Sequence, residues 1–385
     1  MPSSAKNTKS AKNTPGAKRK KGRQDTLEAF FGPDGPLAAA LPGYETRTEQ
    51  IQVAEAVEQA MREGKPCLAE AGTGVGKSLS YLVPAVRAAL EGKKTVISTH
   101  TISLQTQLIE KDIPLVLSLF PEAEEHVTYE LMKGRGNFLC KVSLENAKND
   151  LFLMTDPLFK QVQRWARSED CTGDVADLPF SFPAWSELTS TPETCRAQEC
   201  HAYNSCYYYH MRWAAAESNL IVVNHALFFS DLALRLSDPN SGILPDYDHV
   251  VFDEAHHLED VATKTFGIEF GSRRLVNLMD RIRHIKGLDV DKDRLRTLED
   301  MNTSLFIPFF QSGKNEFFFE EALPEESRTA TEEWTGKTCN AISTLQNDLL
   351  KVGKEDETLR ERLEGIARLC GRAREELNRL FFESN

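Results

Sequence analysis

Two short stretches carry residue types suited to phosphate chemistry. Ala71-Gly72-Thr73-Gly74-Val75-Gly76-Lys77-Ser78 has the glycines and the closing Lys-Ser of a Walker A loop, with Ala71 where Gly is commoner. In such a loop backbone N–H groups point at a β-phosphate, and the start of the following helix adds partial positive charge. Lys77 would neutralise the β and γ phosphates, and the Ser78 hydroxyl would reach Mg2+.

The second stretch, Val250-Val251-Phe252-Asp253-Glu254-Ala255-His256, places two acids at the end of an apolar run. In a parallel sheet the carboxyl ends of the strands are where ligands bind. Asp253 would hold Mg2+, and Glu254 would orient and deprotonate the water that attacks the γ-phosphate. Alone, this tetrapeptide could be a polar strand end. With a Walker A loop upstream, it reads as the other half of an ATP site. His256 is then expected to couple that site to DNA, and His257 to be structural.

A third group is Cys140, Cys195, Cys200 and Cys206, spaced Cys-x54-Cys-x4-Cys-x5-Cys. The tight Cys-x2-Cys pairs of structural zinc are absent. Four thiolates on loose loops suit a 4Fe-4S cube, in which each iron takes one cysteine. Zinc is the rival on spacing alone. Of the other four cysteines, Cys67 falls in an expected core strand and Cys339 and Cys370 on helices, while Cys171 is the understudy to the set.

Behind these groups stands a chain of 385 residues, 41% hydrophobic and 27% charged, long enough for two or three units with cores of their own. No stretch has the ~18–20 uninterrupted apolar residues of a membrane span, and the N-terminus lacks the apolar segment of a secretory signal, so a cytoplasmic protein without a membrane partner is expected. Residues 1–24 hold eight Lys and Arg and no acid, within a net charge of -12. A disordered basic tail over 1–30 follows, serving solubility or weak attraction to nucleic-acid phosphate.

Apolar spacing predicts a helix over Thr48–Arg62 and another over Ser78–Glu91. Strands are predicted at Cys67–Ala69, Thr95–Ser98, Leu220–Val223 and His249–Phe252. Strand, turn, helix and strand in succession give a βαβ unit and a parallel sheet. The stretch 121–216 is irregular, aromatic and cysteine-bearing, and reads as an insertion. Helical pattern follows at Arg273–Ile285, Glu332–Leu350 and Glu355–Phe382.

Taken in order, these motifs resemble the DinG-like helicases, relatives of the XPD helicase in superfamily 2. The resemblance spans Phe31 to Asn385. It also rests on Gly43-Tyr44-Glu45-Thr46-Arg47-Thr48-Glu49-Gln50, Ser98-Thr99-His100-Thr101 with Leu104-Gln105, Lys133-Gly134-Arg135 and Val223-Asn224-His225. It implies an α/β fold: a RecA-like P-loop lobe over 31–120 and 217–262, a 4Fe-4S domain inserted at 121–216, and a helical arch over 263–385. It further implies that Arg47 and Gln50 face the adenine, and that ATP with Mg2+ drives 5' to 3' translocation on single-stranded DNA and unwinding of forked duplex, in repair or replication. No Ser-Ala-Thr motif or second lobe follows the acid box, so these residues are expected to be an N-terminal portion, inactive alone. The rival is an ATP- and DNA-binding module without motor activity. A monomer is expected. Finally, Gln24, Leu27, Phe30 and Phe31 match the pattern of peptides that dock on sliding clamps, although the aromatics could equally pack within the first lobe.

Overall fold

The computed structural model describes residues 26–72, 75–123, 125–239, 241–311 and 324–382. The chain divides into two compact units, residues 1–90 with 112–126 and residues 91–111 with 127–385. This division falls elsewhere than the boundaries expected at 120 and 216.

The described part of the first unit is helical. Helix α1 (Leu27–Phe31) starts at Thr26, whose hydroxyl accepts the Ala29 N–H at 3.2 Å. Its Leu27, Phe30 and Phe31 are buried, and Phe30 stacks on Phe120 at 5.1 Å. Residues 26–30 therefore fold rather than extend the tail. Residues 1–25, including Gln24, lie outside the described residues.

Helix α2 (Thr48–Glu63) closes on Gly64 at φ +64°, a left-handed cap that glycine adopts without strain. It packs against α3 (Lys77–Leu90), whose Leu82, Val83 and Val86 are fully buried. The expected strand at Cys67–Ala69 does not form: Cys67 is exposed and Leu68 is 94% exposed. Apolar composition permits a strand, but only a ladder partner stabilises one, and among the described residues this run has none.

The second unit holds a four-stranded parallel sheet in the order β2-β3-β1-β4. Strand β1 (Thr95–Thr99) is central and fully buried, between β3 (Leu220–Asn224) and β4 (His249–Phe252). These apolar runs match the predicted strands; β1 and most of β3 are buried on both faces, while β4, at the edge, is half-buried with Val250 exposed. Strand β2 (Tyr129–Leu131) lies inside the expected insertion, yet it pairs with Leu220–Val222 of β3. The expected insertion is also less irregular than its composition suggests: helices at Lys141–Ala147 and Pro157–Trp165 surround a core of Leu139, Phe159, Val162 and Leu188. Helix α4 (Tyr207–Glu217) packs over β2. Asn224 caps the next helix, α5 (His225–Ser237), accepting the Leu227 N–H at 2.7 Å.

After the acid box come α6 (Arg273–Arg283), α7 (Lys292–Gln311), α8 (Glu325–Glu355) and α9 (Glu357–Phe382). Their core joins Leu278 and Ile282 to Leu298, Leu345, Leu363 and Leu377. Helices α8 and α9 run antiparallel, since Gly353 lies beside Arg360 while Cys339 lies beside Arg374.

Candidate functional site

The two phosphate motifs belong to different compact units, so each half has its own local construction. In the first unit, Lys77 and Ser78 open the 14-residue helix α3, at the end where the helix dipole favours an anion. Gly76 sits at φ +86°, and a Cβ there would come within 2.3 Å of the Gln50 amide nitrogen. Gln50, 2% exposed, donates from that nitrogen to the Gly76 carbonyl at 3.1 Å. Its own carbonyl oxygen lies 2.9 Å from the Tyr44 hydroxyl, which also lies 3.0 Å from the Phe31 carbonyl. Burial raises the Tyr44 pKa, so the hydroxyl keeps its proton to donate.

Gln50, expected to face adenine, is thus hydrogen-bonded to the glycine turn, and Arg47 is exposed just ahead of α2. Ala71, Gly72 and Val75 flank the turn. Thr73 and Gly74 lie outside the described residues.

In the second unit, Asp253 leaves the carboxyl end of β4 and is buried; its N–H donates to the Ser98 carbonyl at 2.8 Å, extending the β1–β4 ladder by one bond. The Asp253 carboxylate accepts the Glu254 N–H at 3.1 Å. Glu254 adopts φ +56° and ψ +47°, a left-handed conformation that costs a non-glycine residue about 1–2 kcal/mol. Held strain of this kind concentrates at functional sites. The kink turns the chain from strand into the helical turn Ala255–His257, and His256 lies 3.5 Å from the Glu254 carboxylate.

His257 stacks on His100 at 3.8 Å with the rings 17° apart, joining the turn after β4 to the residue that follows β1. Beneath them, burial pushes the His225 pKa down to about 4, leaving the ring neutral with Nδ1 2.7 Å from the Ser98 hydroxyl. Tyr44, Ser98, His100 and His225 stood in the sequence only as parts of motifs. Their supporting contacts have no local signal, because each partner lies on another element.

Cys200 and Cys206 each lie within electrostatic reach of Cys140 and Cys195. Burial raises the thiol pKa of both Cys200 and Cys206, and the nearby Cys140 and Cys195 raise each further. Cys140 and Cys206 each precede a helix, at Lys141 and Tyr207, while Cys195 and Cys200 lie on the loop between. Among the described residues no three His, Cys, Asp or Glu side chains are gathered closely enough for a single metal ion. The loop is tied to α9: Arg372 pairs with Glu193, Arg196 with Glu361, and a Cβ on Gly365 would lie 3.4 Å from Thr194. Cys171 instead meets Tyr207, whose pKa burial and Cys171 together push up to about 12.

Two family models match separate segments of the chain. The family described as DEAD/DEAH box helicase matches residues 49–116, across the glycine turn, and the family described as DEAD_2 matches 189–275, across three of the cysteines and the acid box. The chain is similar to the ATP-dependent DNA helicase YoaA of Escherichia coli, 37% identical over 64% of this chain and 39% of that protein. It is 33% identical to YoaA of Haemophilus influenzae, over 72% of this chain and 43% of the relative. To the ATP-dependent helicase DinG of Mycobacterium tuberculosis it is 34% identical, over 63% and 40%. The matches thus cover about two fifths of these relatives' lengths.

Proposed function

We propose that this chain provides one motor lobe of an ATP-dependent DNA helicase of the DinG-like iron-sulfur type, moving 5' to 3' on single-stranded DNA and opening forked duplex in repair or replication. The observation that carries the reading is the acid box, a buried Asp253 and a kinked Glu254 at the carboxyl end of a parallel strand, in a chain that also starts a helix at Lys77 behind a glycine turn. Similarity to YoaA and DinG supports it.

In this reading residues 31–120 and 217–262 form the RecA-like lobe, 121–216 the cluster domain and 263–385 the arch, in a cytoplasmic monomer. Lys77 neutralises phosphate charge, with the backbone of residues 71–76 around it. Ser78 and Asp253 hold Mg2+, which when bound offsets the negative charge of the phosphates. Glu254 takes the proton of the attacking water. His256, beside Glu254, passes the state of the nucleotide to DNA. Arg47 and Gln50 border the adenine.

Cys140, Cys195, Cys200 and Cys206 would hold the 4Fe-4S cluster, which when bound supplies a covalent staple across the 195–206 loop. Prepared without oxygen, the chain should be brown with about four irons, one per cysteine, and Ser at any of the four should lose iron. Stoichiometric zinc without iron would overturn the cluster assignment.

A second reading, an ATP- and DNA-binding module without motor activity, draws on the single sheet among the described residues. Arginines supplied in trans contribute about 10^3–10^5 in other phosphoryl-transfer enzymes. These 385 residues alone should therefore bind ATP and turn it over slowly. Vigorous DNA-stimulated hydrolysis by them would remove the need for a second lobe.

A further inference from the structure

The left-handed Glu254 is gripped from both sides. Ahead of it, the Asp253 N–H is bonded to the Ser98 carbonyl, and the Glu254 N–H to the Asp253 carboxylate. Behind it, the Glu254 carbonyl accepts the His257 N–H at 3.1 Å, which closes the turn Ala255–His257. The helix Leu258–Phe266 that follows is anchored by packing against α5. A strand end in front and an anchored helix behind do not by themselves demand a positive φ at residue 254. The sense of the kink is set by where the turn between them lies.

Rings place that turn. His257 stacks on His100 at 3.8 Å with the planes 17° apart. His256 leans on His257 at 4.0 Å and 42°, and His225 lies 6.1 Å from His100, tilted by 37°. Of these ring contacts, only His100 with His257 is a parallel stack. His100 follows directly on Thr99, the last residue of β1, so the contacts close a circuit: Ser98 to Asp253, Glu254 to His257, His257 to His100, and back along the chain to Ser98. His100 is exposed and His257 half-buried, and each covers a ring face that water would otherwise meet. A stacked ring pair and the excess cost of a left-handed non-glycine residue are of the same size, so loss of the first is enough to release the second.

We propose that His100 and His257 are positioning residues, whose stack holds Glu254 in its left-handed conformation and thereby fixes the carboxylate that takes the proton of the attacking water. The inference rests on the reading of Glu254 as that base and adds what keeps the base in place.

Two measurements on the 385-residue chain test it: single-turnover ATP hydrolysis without DNA, and the Glu254 amide resonance in protein carrying nitrogen-labelled glutamate, assigned as the peak that Glu254→Gln removes. His257→Ala and His100→Ala should each slow hydrolysis about tenfold, the equivalent of ~1.4 kcal/mol, with the Kd for ATP within about twofold of the parent. The double variant should be no slower than either single one, because both remove the same contact. His257→Phe keeps a flat ring and should return the rate to within about threefold of the parent. The Glu254 resonance should move in both alanine variants and return in His257→Phe. An unchanged rate or resonance in His257→Ala, or a His257→Phe variant as slow as the alanine form, would overturn the proposal. So would ATP affinity that falls in step with the rate. A parent chain that binds ATP and never hydrolyses it would overturn Glu254 as the base, and the resonance alone would then decide whether the stack holds the kink.

Discussion

The glycine turn and the acid box serve one kind of chemistry and are held by opposite means. Asp253 is fixed by a ladder bond to Ser98, by burial and by a strand in register with β1. The glycine turn has no strand behind it among the described residues, and Leu68 stands in solvent just ahead of it. The Gly76 carbonyl is held from within α3 by the Ser80 N–H and hydroxyl, both at 3.3 Å, and from α2 by Gln50. The acid box is thus held by the sheet. The hold of α2 on the turn is a hydrogen bond that one substitution can remove, and such a site should respond more sharply to change in its supports.

The largest expected effect separates the two halves by function. Lys77→Ala should abolish ATP–Mg2+ binding, at least ~100-fold in Kd or about 3 kcal/mol, because no other positive group opens α3. Glu254→Gln should leave that binding within about threefold and, in a chain with its second lobe, stop turnover. Equal loss of binding in both variants, measured by calorimetry, would erase the distinction.

Next in size is core loss at α1. Phe30 stacks on Phe120 and is buried, so Phe30→Ala should cost about 3–5 kcal/mol and lower the melting temperature of the chain. Leu27 and Phe31 are buried with it, which supports the packing alternative that the sequence offered beside clamp docking. A peptide covering residues 15–36 that binds a sliding clamp, with Phe30→Ala leaving the melting temperature untouched, would restore the docking role.

The smallest effect tests the support of the turn itself. Gln50→Ala removes the bond to Gly76 and leaves Tyr44 without one of its two acceptors, a loss of about 1–2 kcal/mol. ATP affinity should fall about tenfold while the thermal stability of the second unit, followed separately, does not move. Ser98→Ala, the corresponding change beneath the acid box, should lower ATP affinity by less than about threefold, since the Asp253 bond is to the Ser98 backbone. A larger effect at Ser98 than at Gln50 would reverse the comparison.

The sequence by itself determined the elements whose burial is uniform or periodic. Strands β1 and β3 were readable as apolar runs, and α2, α3 and α6 within about two residues of their ends, because a strand covered on both faces and a helix covered on one leave a pattern in residue type alone; β4 was readable from its apolar composition although Val250 is exposed. It also singled out the candidates for chemistry, since Lys77, Asp253, Glu254 and the four cysteines stand out by type and spacing.

Tertiary structure decided the rest. Cys67–Ala69 has the composition of a core strand but no ladder partner here, and Tyr129–Leu131, three half-buried residues, becomes a strand only because β3 offers its edge. Helix α4 was hidden by its run of three tyrosines, whose burial faces two cores and gives no single apolar stripe. The bond from Gln50 to Gly76, the stack of His257 on His100 and the tie between Glu193 and Arg372 join residues far apart in the chain. Hydrogen bonds and ring stacking act over a few ångströms whatever the sequence separation, so no local pattern could have announced them.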